Sequence, residues 1–213
     1  MTLPTKRPYN STRRQAQAQE TQRQILEAAQ KLFLDRGYSG ASIAAIAEAA
    51  GVAQETVFAI FGNKRTILAR LIDNAVGGDE QPIPLLERPG PQSVLHEADP
   101  VRQLHRFAQD ISQILERVAP LFEVMRLTAK TEPEIAGLLK NILQQRMRNM
   151  ETFTASLAAH GPLRSGLDER QAAESVWAIT SPELFNLLRS DRAWSRERYV
   201  AWLGDTLTRL LLP

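Results

Sequence analysis

The stretch IAAIAEAAGVAQETVFAIFGNK, residues 43–64, decides how this chain folds. Its first half is almost pure Ala and Ile, a Gly51-Val52 pair interrupts it, and a polar Gln54-Glu55-Thr56 opens the second half. Two helices joined by a tight turn cross steeply only where their contact is free of bulk. With Gly51 as the turn residue, Ala47 becomes the small residue at that contact. Ile46, Ala50, Val52, Val57 and Ile60 then form a shared apolar seam. A helix-turn-helix has this requirement, its second helix being free to enter a major groove. The same pattern also serves two short helices inside an ordinary bundle, so the flanking residues must decide.

Off the seam, Gln54, Glu55, Thr56, Phe58 and Ala59 face outward. Gln pairs with adenine, Glu accepts from the cytosine amino group, and Thr or Ala contacts a thymine methyl. Ser42 and Lys64 stand at the N-termini of the flanking helices, where backbone N–H groups hold phosphate oxygens and Lys64 adds a charge. Charge is distributed unevenly. Residues 1–78 carry ten Lys/Arg against six Asp/Glu, whereas residues 79–213 carry sixteen against eighteen. The excess gathers at Lys6, Arg7, Arg13, Arg14 and Arg23. Such an end suits a polyanion, nucleic acid or an anionic membrane, or is simply a solvated tail. Residues 11–24 lack the apolar face that lying on lipid requires, so no membrane partner is expected.

Working outward, residues 1–18 read as a flexible basic arm, although the Gln/Ala/Arg composition favours helix from Ser11. Ile25, Ala29, Leu32 and Phe33 recur at helical spacing up to Gly37. Asn63 caps a linking helix through Ile67, Leu68, Leu71 and Ile72, which closes a helix-turn-helix unit over residues 19–78. Residues 79–98 hold most of a proline- and glycine-rich run and read as a loop at a domain boundary. Residues 99–213 form a second helical domain. Asp99-Pro100 opens a helix expected to break at Pro120, with a short helix beyond it. Glu132-Pro133 opens a long helix to Gly161-Pro162, Asp168 another that is kinked or broken at Pro182, and Ser195 the last. No segment alternates long enough to make a strand, so the expected fold class is all-α.

The run ILEAAQKLFLDRGYSGASIAAIAEAAGVAQETVFAIFGNKRTIL resembles the DNA-binding domain of the TetR family of bacterial transcriptional regulators. The matching residues include Ile25-Leu26, Ala28-Ala29, Phe33, Gly37-Tyr38, Ala41-Ser42-Ile43, Ile46-Ala47, Ala50-Gly51-Val52, Thr56-Val57, Phe61 and Lys64. The resemblance implies double-stranded DNA as partner, read through Arg13, Arg14, Ser42, Gln54, Glu55, Thr56, Phe58, Ala59 and Lys64. Where the family often has Tyr-x-Tyr-Phe, whose hydroxyls tend to contact phosphates, this chain has Phe58-Ala59-Ile60-Phe61. Two phosphate hydrogen bonds are thereby lost, each worth about 1 kcal/mol, and Arg13 and Arg14 are the candidates to compensate. Glu55 is a second departure, an acid near a phosphate surface.

One short recognition helix reaches too few bases for specificity, which a symmetric dimer on a palindrome remedies. The expected dimer surface is Leu184, Leu187, Leu188, Trp202, Leu203, Leu207 and Leu210, on the closing helices whose family counterparts pair into a four-helix bundle. The resemblance further implies a small-molecule effector, apolar or aromatic, in a pocket of the second domain. Phe107, Ile111, Phe122, Met125, Met150, Phe153 and Trp177 are its candidate lining, with Arg126 or His105 to anchor a polar group. The expected activity is a repressor that the effector releases from DNA; the alternative is an activator or architectural protein without a ligand.

The absence of Cys removes disulfides and thiolate metal sites and suits a reducing compartment, so the cytoplasm is the expected location. His96, His105 and His160 lack metal-ligand spacing, and no phosphate-binding Gly-rich loop, GxSxG or Cys nucleophile is present. Neither an enzyme nor a metal or other cofactor is expected.

Overall fold

A computed structural model describes residues 11–213, with the side chains of 11–13 excepted. Ten α-helices follow one another, and no strand occurs among the described residues: α1 (Ser11–Gly40), α2 (Ile43–Ala50), α3 (Gln54–Phe61), α4 (Lys64–Gly77), α5 (Pro89–Leu95), α6 (Pro100–Thr128), α7 (Pro133–His160), α8 (Glu169–Ile179), α9 (Pro182–Asn186) and α10 (Arg196–Leu211). The chain divides into two compact units, one ending at Leu68 and the other spanning Ala69–Pro213. The division falls inside α4.

In the first unit α1 packs on α2 and α2 on α3. Ile25, Ala29, Phe33, Ile46, Val57, Ile67 and Leu68 are fully buried, and the Tyr38 ring lies tilted beside Phe33 at 5.4 Å between ring centroids. Helical geometry in α1 fails at Gly37, at φ 69 and ψ 171. Helix begins at Ser11, as the Gln/Ala/Arg composition favours, so residues 11–18 are helical. Residues 1–10 of that expected arm lie outside the described residues.

The second unit is organised around α6, which packs against α5, α7, α9 and α10, while α8 packs on α7. Tyr199, Leu203, Leu207 and Leu211 repeat every fourth position of α10 and are fully buried, each leucine worth about 1.5–3 kcal/mol of transfer free energy. Close approach of α10 to α6 depends on Gly204, where a Cβ would stand 2.4 Å from His105 Nδ1. Two expectations fail here. Pro120 does not break α6, which runs unbroken to Thr128. Pro120 is exposed while Ala119, Leu121 and Phe122 beside it are buried, so the missing N–H lies on the wet face and core packing carries the helix through. Nor is 79–98 without structure: Leu85–Glu87 forms a 3-10 turn and Pro89 begins α5.

Arg88 explains why that proline-rich segment is ordered. Its buried guanidinium donates to both carboxylate oxygens of Asp79, at 2.9 and 3.0 Å, and to the carbonyls of Gly77, Gln81 and Ile83. Arg117 of α6 donates to the Ala75 carbonyl at 2.8 Å. Two arginines thus satisfy the last carbonyls of α4, which have no partner inside the helix. Pro182 does divide α8 from α9, with Ser181 capping α9 by accepting from the Leu184 N–H at 3.2 Å.

Candidate nucleic-acid interface and effector groove

The sequence dictates the turn between α2 and α3. Ser42 accepts from the Ala45 N–H at 3.1 Å and starts α2. Gly51 ends it at φ 67, the left-handed region where a Cβ is penalised, and its N–H and that of Val52 return to the carbonyls of Glu48 and Ala47 at 3.1 and 3.0 Å. The two helices are bent by 107°. Ile46, Ala47 and Val57 are buried in the seam as expected, with Ala50 and Val52 partly so. Ile60 is not: it is 38% exposed, and Phe61 takes the inward place at 6%.

The outer face of α3 therefore presents Gln54, Glu55, Phe58, Ala59 and Ile60, with Thr56 half-buried. Phe58 is 51% exposed, an apolar ring turned to solvent beside polar groups. Glu55 lies in the first turn of α3, which has no side-chain cap. An acid there offsets the unpaired N–H dipoles, which accounts for the residue without any base contact. Asn63 caps α4 by accepting from the Thr66 N–H at 2.9 Å and from its hydroxyl at 3.0 Å.

Lys64 has a second occupation that its sequence position did not reveal. Its ammonium donates to the Tyr38 carbonyl at 2.7 Å and lies 4.1 Å from the centroid of the Tyr38 ring. Only the fold brings Tyr38 next to it. Arg23, counted among the basic residues, is flanked by Glu20 and Glu27 at 2.6 Å each, so its charge is locally balanced. Arg14 is exposed on α1; the Arg13 side chain lies outside the described residues.

In the second unit, six of the seven expected pocket residues are core. Phe107, Ile111, Phe122, Met125, Met150 and Phe153 are each at most 8% exposed, and Phe107 stacks on Phe153 at 4.0 Å. Trp177 lines a large concavity, a groove of about 1000 Å3 between the end of α6, the middle of α7 and α8. Ala129, Ala136, Leu139, Leu143 and Met147 complete its apolar wall, and Arg126, Lys130, Lys140, Arg170, Glu151 and Glu174 are among its polar residues. Arg126 is ion-paired with Glu183, and Arg170 with Glu174. His105, the other proposed anchor, instead covers Gly204 near Asp205.

Behind the groove wall lies Arg146, which neither motif nor periodicity singled out. It donates to the Trp177 carbonyl and to the Thr180 hydroxyl, and lies 5.0 Å from the Trp177 ring centroid. Burial pulls its guanidinium down to about 10. Tyr199 nearby has a buried hydroxyl without a hydrogen-bond partner among the described residues, and burial pushes it above its ordinary range.

On the closing helices the expected dimer residues separate into two groups. Leu203 and Leu207 are fully buried within the chain, so they cannot form a contact face with another copy. Leu187 is 49% exposed, while Leu184, Leu188, Trp202 and Leu210 are half-buried. Leu184 and Leu187 also line a concavity of about 470 Å3.

The described residues form a helix-turn-helix unit and a larger helical unit. Residues 25–71 match the family described as bacterial regulatory proteins, tetR family. Residues over 62 positions are 40% identical to the HTH-type transcriptional regulator TtgR of Pseudomonas putida, a match spanning 29% of this chain but only 30% of TtgR. The HTH-type transcriptional repressor BepR of Brucella suis is 26% identical over 188 residues, covering 85% of this chain and 87% of BepR. The fold matches NalD, the secondary repressor of the MexAB-OprM multidrug efflux pump in Pseudomonas aeruginosa, with a TM-score of 0.70 and 23% identity. That superposition covers 92% of this chain and 98% of NalD.

Proposed function

We propose that this chain is a transcriptional repressor that binds a palindromic DNA operator as a homodimer and is released from it by a small molecule. One observation carries the DNA-binding part: α3 buries Val57 and Phe61 and turns Gln54, Glu55, Phe58 and Ala59 outward, held by a turn that only a left-handed Gly51 closes. A helix so mounted presents base-reading groups along one exposed face. The repressor assignment is supported by the similarity to BepR over most of both chains. Dimerisation uses the exposed Leu187 with Leu184, Leu188, Trp202 and Leu210. A ligand acts by favouring a spacing of the two recognition helices that misfits DNA, and α4, one helix from Lys64 to Gly77, is the path of that coupling.

Selection from random double-stranded DNA by the purified protein tests this, with the mass of the bound species measured by light scattering. A palindromic consensus occupied by two chains is the expected result. Enrichment of no sequence at moderate salt overturns the repressor reading in favour of an architectural protein.

A further inference from the structure

The groove formed by α6, α7 and α8 has walls of two kinds, and their combination specifies a ligand chemistry. Leu139, Leu143 and Met147 lie on successive turns of α7 and form an apolar trough with Trp177 of α8. Such a trough buries a chain or ring of several carbons and is of the size small ligands occupy. Lys130 and Lys140 stand on the groove as well, and neither side chain has a partner among the described residues. The remaining cations of the lining are already used, Arg126 on Glu183 and Arg170 on Glu174.

Trp177 is fixed for this role. Arg146 lies against its ring and donates to its carbonyl, and spends its other described hydrogen bond on the Thr180 hydroxyl. Both acceptors are neutral, so a half-buried positive charge stands behind the wall, with the Glu183 carboxylate acting on it only through space and not by a hydrogen bond. The Trp177 indole N–H is itself buried with no acceptor among the described residues. The charges without an ion-pair partner on the lining are Lys130 and Lys140 against Glu151, a net positive balance. Apolar length with unspent positive charge at its edge is complementary to an amphiphilic anion and hostile to an amphiphilic cation.

We propose that this groove binds a small amphiphilic organic anion, its carbon chain or ring against Leu139, Leu143, Met147 and Trp177 and its carboxylate between Lys130 and Lys140. The inference deepens the effector reading above and rests on it only for the consequence of binding, not for the binding itself.

The full chain is titrated calorimetrically, without DNA, with decanoate, decanol and decyltrimethylammonium, each below its aggregation concentration, and tryptophan fluorescence is followed in parallel. Decanoate is expected to bind at one molecule per chain and about tenfold more tightly than the cation, the scale two exposed charge pairs provide. Lys130→Gln with Lys140→Gln should abolish that preference while leaving the melting temperature unchanged, because both side chains are exposed. Leu143→Asp should remove binding of decanoate and decanol alike, and Trp177→Phe should remove the ligand-dependent part of the fluorescence. Equal affinity for anion and cation overturns the proposal, as does decanoate binding that none of these variants changes. Flotation of the protein with phosphatidylglycerol vesicles, lost in the double lysine variant, overturns it in favour of a membrane surface. A change of mass in that variant overturns it in favour of a contact between copies. If decanoate binds as expected yet leaves a preformed DNA complex intact, the site stands and release by a ligand falls.

Discussion

Gln54 and Lys64 bracket the recognition helix, and the structure gives them different physical duties. Gln54 is exposed at the first position of α3 and holds nothing within the chain together. Truncating it to Ala removes only what it does to DNA. Preference at one or two operator positions should relax by about 1–3 kcal/mol, read as the ratio of affinities for the selected operator and its single-base variants. Overall stability should remain unchanged. Lys64 holds the Tyr38 carbonyl and ring, so its loss is felt before any DNA is present. Lys64→Met should lower unfolding free energy by about 1–2 kcal/mol, measured by urea titration, and should weaken binding to all sequences by a similar factor. A Lys64→Met protein with unaltered stability would remove Tyr38 from the account. That contact was invisible in the sequence because 26 residues separate its partners. Gln54 was legible because turn, seam and exposed face all follow from residues a few positions apart.

Elements were legible in the same measure as their causes were local. Caps at Ser42, Asn63, Asp99, Asp168 and Ser195 are single residues acting within three positions, and each begins a helix as expected. Pro120 and residues 79–98 were misread because tertiary contacts override the local rule. Pro120→Ala restores an N–H to the exposed face of a helix already in place, so it should stabilise the protein by about 1–3 kcal/mol, seen as a raised Tm. A lowered Tm would mean that the proline bends α6 to fit its neighbours. In the 79–98 segment the governing residue is Arg88. Arg88→Met keeps the stem but leaves the Asp79 carboxylate and three carbonyls without their donor, at a cost of about 3 kcal/mol. Hydrogen exchange should then quicken at the C-terminal turn of α4 and through α5, before the rest of the second unit. The candidate effector residues divide for a related reason. Size and softness single out Phe107, Met125 and Phe153, which the structure buries in the core, whereas the open groove is lined by Leu139, Leu143 and Met147.

At the scale of the whole molecule the proposed dimer makes the sharpest demand, because the same two closing helices supply both the core and the contact face. Leu203 is fully buried and Leu187 is 49% exposed, although a sequence reading treats them alike. An aspartate at position 203 places a charge in the core and should unfold the second unit, so its effect on assembly would be uninterpretable. An aspartate at 187 meets water in the isolated chain, at a cost within about 0.5 kcal/mol, and meets an apolar partner surface only in a dimer. Leu187→Asp should therefore retain its helical circular dichroism and ligand binding while light scattering falls to the 23.8 kDa of one chain. A lone helix-turn-helix unit reads half a palindrome, so operator affinity should drop by on the order of a thousandfold, toward the non-specific level. Non-specific binding at low salt should persist, because phosphate contacts belong to each chain separately. If Leu187→Asp keeps a doubled mass, the contact face lies elsewhere and the exposed leucines near 187 await another partner. If it becomes monomeric with operator affinity intact, the palindrome is unnecessary and one recognition helix with its basic N-terminus suffices.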